Sequence, residues 1–161
     1  MMAAVSIPTK TIWSWDDLGR ADFVLLGGTV LYMICVLAWF WSMGSFLGSI
    51  TTSELKLKEG FFRFALVYSA VYMFIFFTVI LIPGPSKAAL IVPLHLLCMF
   101  CLFYILYFVS KTLALVELGK AVTFYDYAGA FFLMWFYPVG VWFIQPKVNR
   151  LYAEAGRTGI L

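Results

Sequence analysis

Three residues in this chain have the types and spacing to do chemistry together: His95, Cys98 and Cys101. They form an H-x2-C-x2-C pattern inside AALIVPLHLLCMFCLFYILYFVS (88–110), a stretch with no charged residue. His95 is the only histidine, and the other cysteine is Cys35. At about 100° per residue the three fall within roughly 120° of one helix face. One nitrogen and two sulfurs suit a soft ion such as copper or zinc. A tetrahedral site needs a fourth ligand, which Cys35 or a methionine would have to bring from another helix. Cysteine in an apolar run usually behaves as a small hydrophobe, so the sequence predicts no metal.

The same pair invites a thiol–disulfide reading. Four-helix membrane oxidoreductases of the vitamin K epoxide reductase and disulfide-bond-forming types carry one reactive pair near the membrane surface and a second in a loop. This chain has no loop cysteine, and an apolar setting disfavours the thiolate that exchange requires. His95 is different, because an ionisable side chain in a membrane is by default a functional hypothesis. As an axial ligand it could hold a haem or a chlorophyll, and a bis-histidine haem would need His95 of a second copy. The simpler expectation is a structural histidine bonded to Ser69, Thr78 or a carbonyl freed near Pro93.

The elements that position these residues follow from composition. Hydrophobic residues make up 64% of the 161 residues and charged ones 12%, against about 45–50% and about 25% in ordinary globular chains. The charges are segregated between long uncharged runs, which predicts an integral membrane protein. The net charge of +3 is scattered and offers no stripe for nucleic acid. Membrane lipids are a sufficient partner for the bases. Asp16 and Asp17 stand where a signal peptide would be basic, so the first apolar run is expected to remain as a membrane helix.

In chain order, 1–20 reads as an interfacial segment with Trp13 and Trp15 at head-group level. A transmembrane domain of four helices follows over 21–145, and 146–161 is a short basic tail. The helices are expected over 21–50, 61–82, 88–110 and 127–145, the third running two or three turns beyond the bilayer. Gly44 and Gly48 form a GxxxG pair for close helix packing. Pro83-Gly84-Pro85 is a tight turn. Pro93 and Pro138 are expected to kink helices three and four. Gly119 and Thr123 break the chain before helix four, with Thr123 and Asp126 three apart as in a capping box. The glycines and prolines of 127–145 make it the run most prone to fail as a span and become re-entrant.

Four spans place both ends on one side, with Lys10, Arg20, Lys87, Lys147, Arg150 and Arg157. That leaves five bases opposite, which is close to a tie for the positive-inside rule. The closeness of Lys147 and Arg150 to helix four favours cytoplasmic termini. The ending WFIQPKVNR (142–150) is similar to those of small bacterial membrane proteins, and a multi-pass protein of a bacterial inner membrane is expected.

Apart from His95 the expected membrane interior holds no Asp, Glu, Lys or Arg, with Arg63 at the boundary. Ion-coupled transport and acid–base catalysis need such groups at depth. The function expected is therefore non-enzymatic: a small accessory or scaffold subunit packed against other membrane protein subunits. The alternatives are a homo-oligomeric channel or carrier for an uncharged or hydrophobic solute, and a subunit holding a cofactor at His95.

Overall fold

The computed structural model describes residues 20–52, 57–80 and 88–157, with side chains outside 20–23, 78–80 and 88–90. The expected interfacial segment with its tryptophans and the Pro83–Pro85 turn lie outside the described residues. Five helices follow one another: α1 (Arg20–Ile50), α2 (Glu59–Ile80), α3 (Ala88–Leu118), α4 (Phe124–Trp135) and α5 (Tyr137–Arg157). The fold is all-α among the described residues. Three segments are long and apolar enough to cross a membrane: Val24–Ile50, Glu59–Phe77 and Ile91–Leu118.

Ring and backbone contacts give the helix directions. Gly44 of α1 meets Phe62 of α2, and Gly48 meets Glu59, so α1 and α2 are antiparallel. Phe62 stacks on Phe108 at 4.3 Å, while Tyr68 donates to the Leu94 carbonyl at 3.0 Å. Residue number thus rises in α2 as it falls in α3. The core lies between these helices, on Phe40, Met43, Leu47, Phe62, Leu66, Ile105 and Phe108. Hydroxyls buried there turn back on their own helix: Ser110 bonds the Leu106 carbonyl at 2.7 Å and Thr112 that of Phe108 at 2.6 Å. Burying a hydroxyl away from water is costly unless it is bonded, and these two find their acceptor in the preceding turn.

α3 runs unbroken through Pro93. It stops at Gly119, whose φ of 62° is the left-handed conformation that closes a helix. Its N–H returns to the Leu115 carbonyl at 2.9 Å. α4 then starts at Thr123, whose N–H and hydroxyl both donate to one oxygen of Asp126, at 2.7 and 2.8 Å. These bonds, the backbone one first, hold the exposed Asp126 carboxyl below the usual carboxylate range.

The single helix expected over 127–145 is two helices, and this is the main correction to the sequence reading. The break is at Phe136, with φ −87° and ψ 58°, not at Pro138. α4 runs back along α3: Tyr127 meets Tyr107 at 5.8 Å, and Trp135 meets Phe103 at 4.4 Å. α5 then retraces the direction of α1. Its first residue, Tyr137, lies against Trp39 at 5.3 Å and Tyr152 against Phe46 at 5.3 Å. At its middle Lys147 pairs with Glu117, at the end of α3, at 3.3 Å. α4 and α5 are thus the two arms of a hairpin. Ile144, Val148 and Leu151 of α5 share one face and enter the common core.

The reversal depends on Gly140. A β-carbon there would overlap the Leu133 carbonyl oxygen and sit 2.5 Å from its carbon, closer than side chains pack. Around the break, Phe136 N–H bonds the Phe132 carbonyl at 3.1 Å, and Val139 and Gly140 N–H both reach that of Phe136 at 2.9 Å. Pro138 has no N–H to satisfy, and early in a helix that costs little. Gly140→Ala should therefore destabilise the protein by about 1–3 kcal/mol through overpacking. Gly129→Ala, whose β-carbon meets nothing within 4 Å, should be neutral or slightly stabilising. Unfolding midpoints of both variants in a mild detergent check the contrast.

Candidate functional site

The three residues that could do chemistry share a helix but not a site. Cys98 and Cys101 are buried, whereas His95 is exposed. Cys101 belongs to the core with Leu66 and Ile105. The Cys98 thiol has the Ser69 hydroxyl as its neighbour. That hydroxyl is fully buried and has no oxygen or nitrogen partner, and a thiol is a weak substitute for one. Among the described residues no three His, Cys, Asp or Glu side chains gather as metal ligands. Cys35 is exposed on α1.

His95 is held by α2. The Tyr72 hydroxyl is 2.9 Å from its Nδ1, and the rings of Tyr72 and Phe76 each lie 5.8 Å from the imidazole. These rings continue a ladder at four-residue spacing on one face of α2, from Phe64 through Tyr68 and Tyr72 to Phe76, with centroids 5.7–6.2 Å apart. Helical residues four apart are neighbours on the surface, so the repeat alone builds the ladder. Ser69, one of the partners expected from the sequence, is not bonded to His95, and the Thr78 side chain lies outside those described. Tyr72, which the spacing of α2 places on the α3-facing ladder, takes that place instead.

The tautomer of His95 decides what it can do. If the Tyr72 O–H donates to Nδ1, the remaining nitrogen carries the proton and cannot bind a metal. If Nδ1–H donates to the Tyr72 oxygen, Nε2 keeps its lone pair, as in histidine ligands oriented by an outer hydrogen bond. Only in that second tautomer would Nε2 be open as a single ligand, with Tyr72 orienting the ring.

The helix-packing and kink residues fall as follows. The Phe62 ring lies directly over Gly44, within 2.7 Å of where a β-carbon would stand, and the Glu59 carboxylate lies over Gly48 at 2.8 Å. The GxxxG face is covered by α2 of the same chain and is not open to another. Pro93 lies within continuous α3, one residue before the Leu94 carbonyl that takes the Tyr68 hydroxyl. Pro138 is the second residue of α5.

Apolar cavities also open among the described residues. A groove of about 830 Å³ opens between the first half of α1 and the second half of α2, lined by residues such as Val30, Ile34, Leu37, Ala70 and Phe74. A smaller one of about 230 Å³ lies where the hairpin tip meets the three long helices, lined among others by Met33, Met73, Met99, Met134 and Ser69. Comparison with protein-family models, with curated proteins and with solved structures finds no match to this chain.

The burial of both thiols makes a definite expectation. Cys98→Ala combined with Cys101→Ala should lower stability by about 1–2 kcal/mol, the loss of two small buried groups, with assembly otherwise intact. Thermal unfolding of the double variant, with size-exclusion chromatography to follow assembly, checks this. A folded protein that no longer assembles would instead give the thiols a role beyond packing.

Proposed function

We propose that this chain is a small, non-catalytic membrane subunit that acts through its surfaces, packing against other membrane protein subunits. One observation supports this most: among the described residues no charged side chain is buried, and the buried polar ones are Ser69, Ser110 and Thr112. Two of these three bond their own helix. Acid–base or ion-coupled work needs titratable groups in the interior, so function falls to the faces. Hydrocarbon gives helices no hydrophobic reason to associate, and shape complementarity has to drive assembly. The α1–α2 groove offers a shaped face of about 830 Å³, and Leu31 and Ile34 on α1 are well exposed in it. A helix of a neighbouring subunit would fill it.

A second reading draws on Tyr72 at His95 Nδ1: a subunit holding a haem or chlorophyll by Nε2. The group would supply visible absorbance and electron or excitation chemistry. The chain's part is to orient the imidazole, and a Tyr72→Phe variant would loosen it.

Photo-cross-linkers placed at Leu31 and Ile34 in native membranes test the leading reading. One discrete protein adduct from both positions is the expected result. Adducts with lipid alone would contradict it. A visible absorption band in the purified protein, lost in His95→Ala, would favour the second reading.

A further inference from the structure

We propose that α4 and α5 form a re-entrant hairpin, so that the chain crosses the bilayer three times and presents a basic face to the anionic head groups of the cytoplasmic leaflet. Length is the first argument. The 12 residues of α4 measure about 18 Å at 1.5 Å each, short of the roughly 30 Å hydrocarbon core. α5 is long enough to cross, but its second half carries Lys147, Asn149, Arg150, Glu154 and Arg157. Those residues belong in water or among head groups.

Depth is the second argument. The tip, Trp135 to Tyr137, meets Trp39 and Phe40 of α1 and Phe103 of α3. Those residues lie near the middles of the spans Val24–Ile50 and Ile91–Leu118. The hairpin therefore enters from the side where α3 ends, reaches mid-bilayer and returns to that side. Its outward residues there are apolar: Phe132, Trp135, Phe136, Val139, Trp142 and Phe143 are all exposed, as lipid contact requires. Irregular backbone at this depth needs internal partners, and the N–H groups of Phe136, Val139 and Gly140 have them.

Charge then fixes the orientation. With three crossings, the residues before α1 and those between α2 and α3 share one side, and it carries Lys10, Arg20 and Lys87. The other eight of the eleven lysines and arginines lie opposite. Lys147, Arg150 and Arg157 change sides when helix four becomes a hairpin, and a near tie becomes eight against three. Short flanking segments rich in lysine and arginine stay cytoplasmic, where each base near the surface gains from the negative leaflet. Glu117 is shared by Lys147 and Arg150 at 3.3 and 4.0 Å, which anchors α5 to α3 as it leaves the membrane.

The test is side-specific labelling of Ser6→Cys and Thr158→Cys, made separately in the full chain and probed with an impermeant maleimide in spheroplasts. The unsubstituted protein serves as the background, since its cysteines lie inside α1 and α3. Position 6 should label in sealed spheroplasts and position 158 only after they are opened. Equal behaviour of the two positions would mean four crossings and overturn the hairpin. Labelling of 158 alone in sealed spheroplasts would overturn the cytoplasmic assignment of the basic face.

Discussion

The arrangement depends on one close approach, that of the Gly140 α-carbon to the Leu133 carbonyl. No residue larger than glycine can occupy that position while the chain reverses at Phe136. If the reversal is lost, α5 leaves Trp39, Phe40 and Glu117, and Ile144, Val148 and Leu151 leave the core they share with Leu47 and Phe108. The bundle interior is therefore closed by the face of α5 that carries Ile144, Val148 and Leu151. Trp39 secures the arm further, donating its indole N–H to Gln145 at 2.8 Å. A polar bond of this kind is specific where apolar packing is permissive, because an unbonded amide among apolar groups is costly.

The three long helices solve the same packing problem by other means. Glycine on α1 lets the ring of Phe62 lie against its backbone, and that ring in turn stacks on Phe108 of α3. One aromatic side chain thereby ties three helices. Further along, Tyr68 and Tyr72 reach from α2 to α3 with their hydroxyls. Tyrosine gives both a large contact area and a polar end that must be bonded in the interior. Over that same stretch α1 and α2 part, and the apolar groove opens between them.

Much of this was legible in the sequence. The three long helices follow from uncharged runs of sufficient length, and the extension of α3 to Leu118 from Lys111 to Lys120 alternating with leucines. Gly119 and the Thr123–Asp126 pair mark the loop because their chemistry is local. The hairpin was not legible as such. Its glycines and prolines advertise irregular backbone, but the break falls at Phe136, an ordinary residue, because the Gly140–Leu133 contact is what selects it. Apolarity across 127–145 reads alike for a span and for a hairpin tip whose apolar side chains are exposed. The partner of His95 was hidden too, since register between α2 and α3 decides whether Ser69, Tyr72 or Thr78 arrives there.

The hairpin is open to a direct distance measurement. Spin labels at Tyr125 and Ala153, both exposed, bracket the reversal at a separation of 28 residues. Pulsed dipolar spectroscopy in lipid nanodiscs should give a distance below about 30 Å. A continuous helix would hold the same positions about 42 Å apart at 1.5 Å per residue, and a distribution centred there would contradict the account.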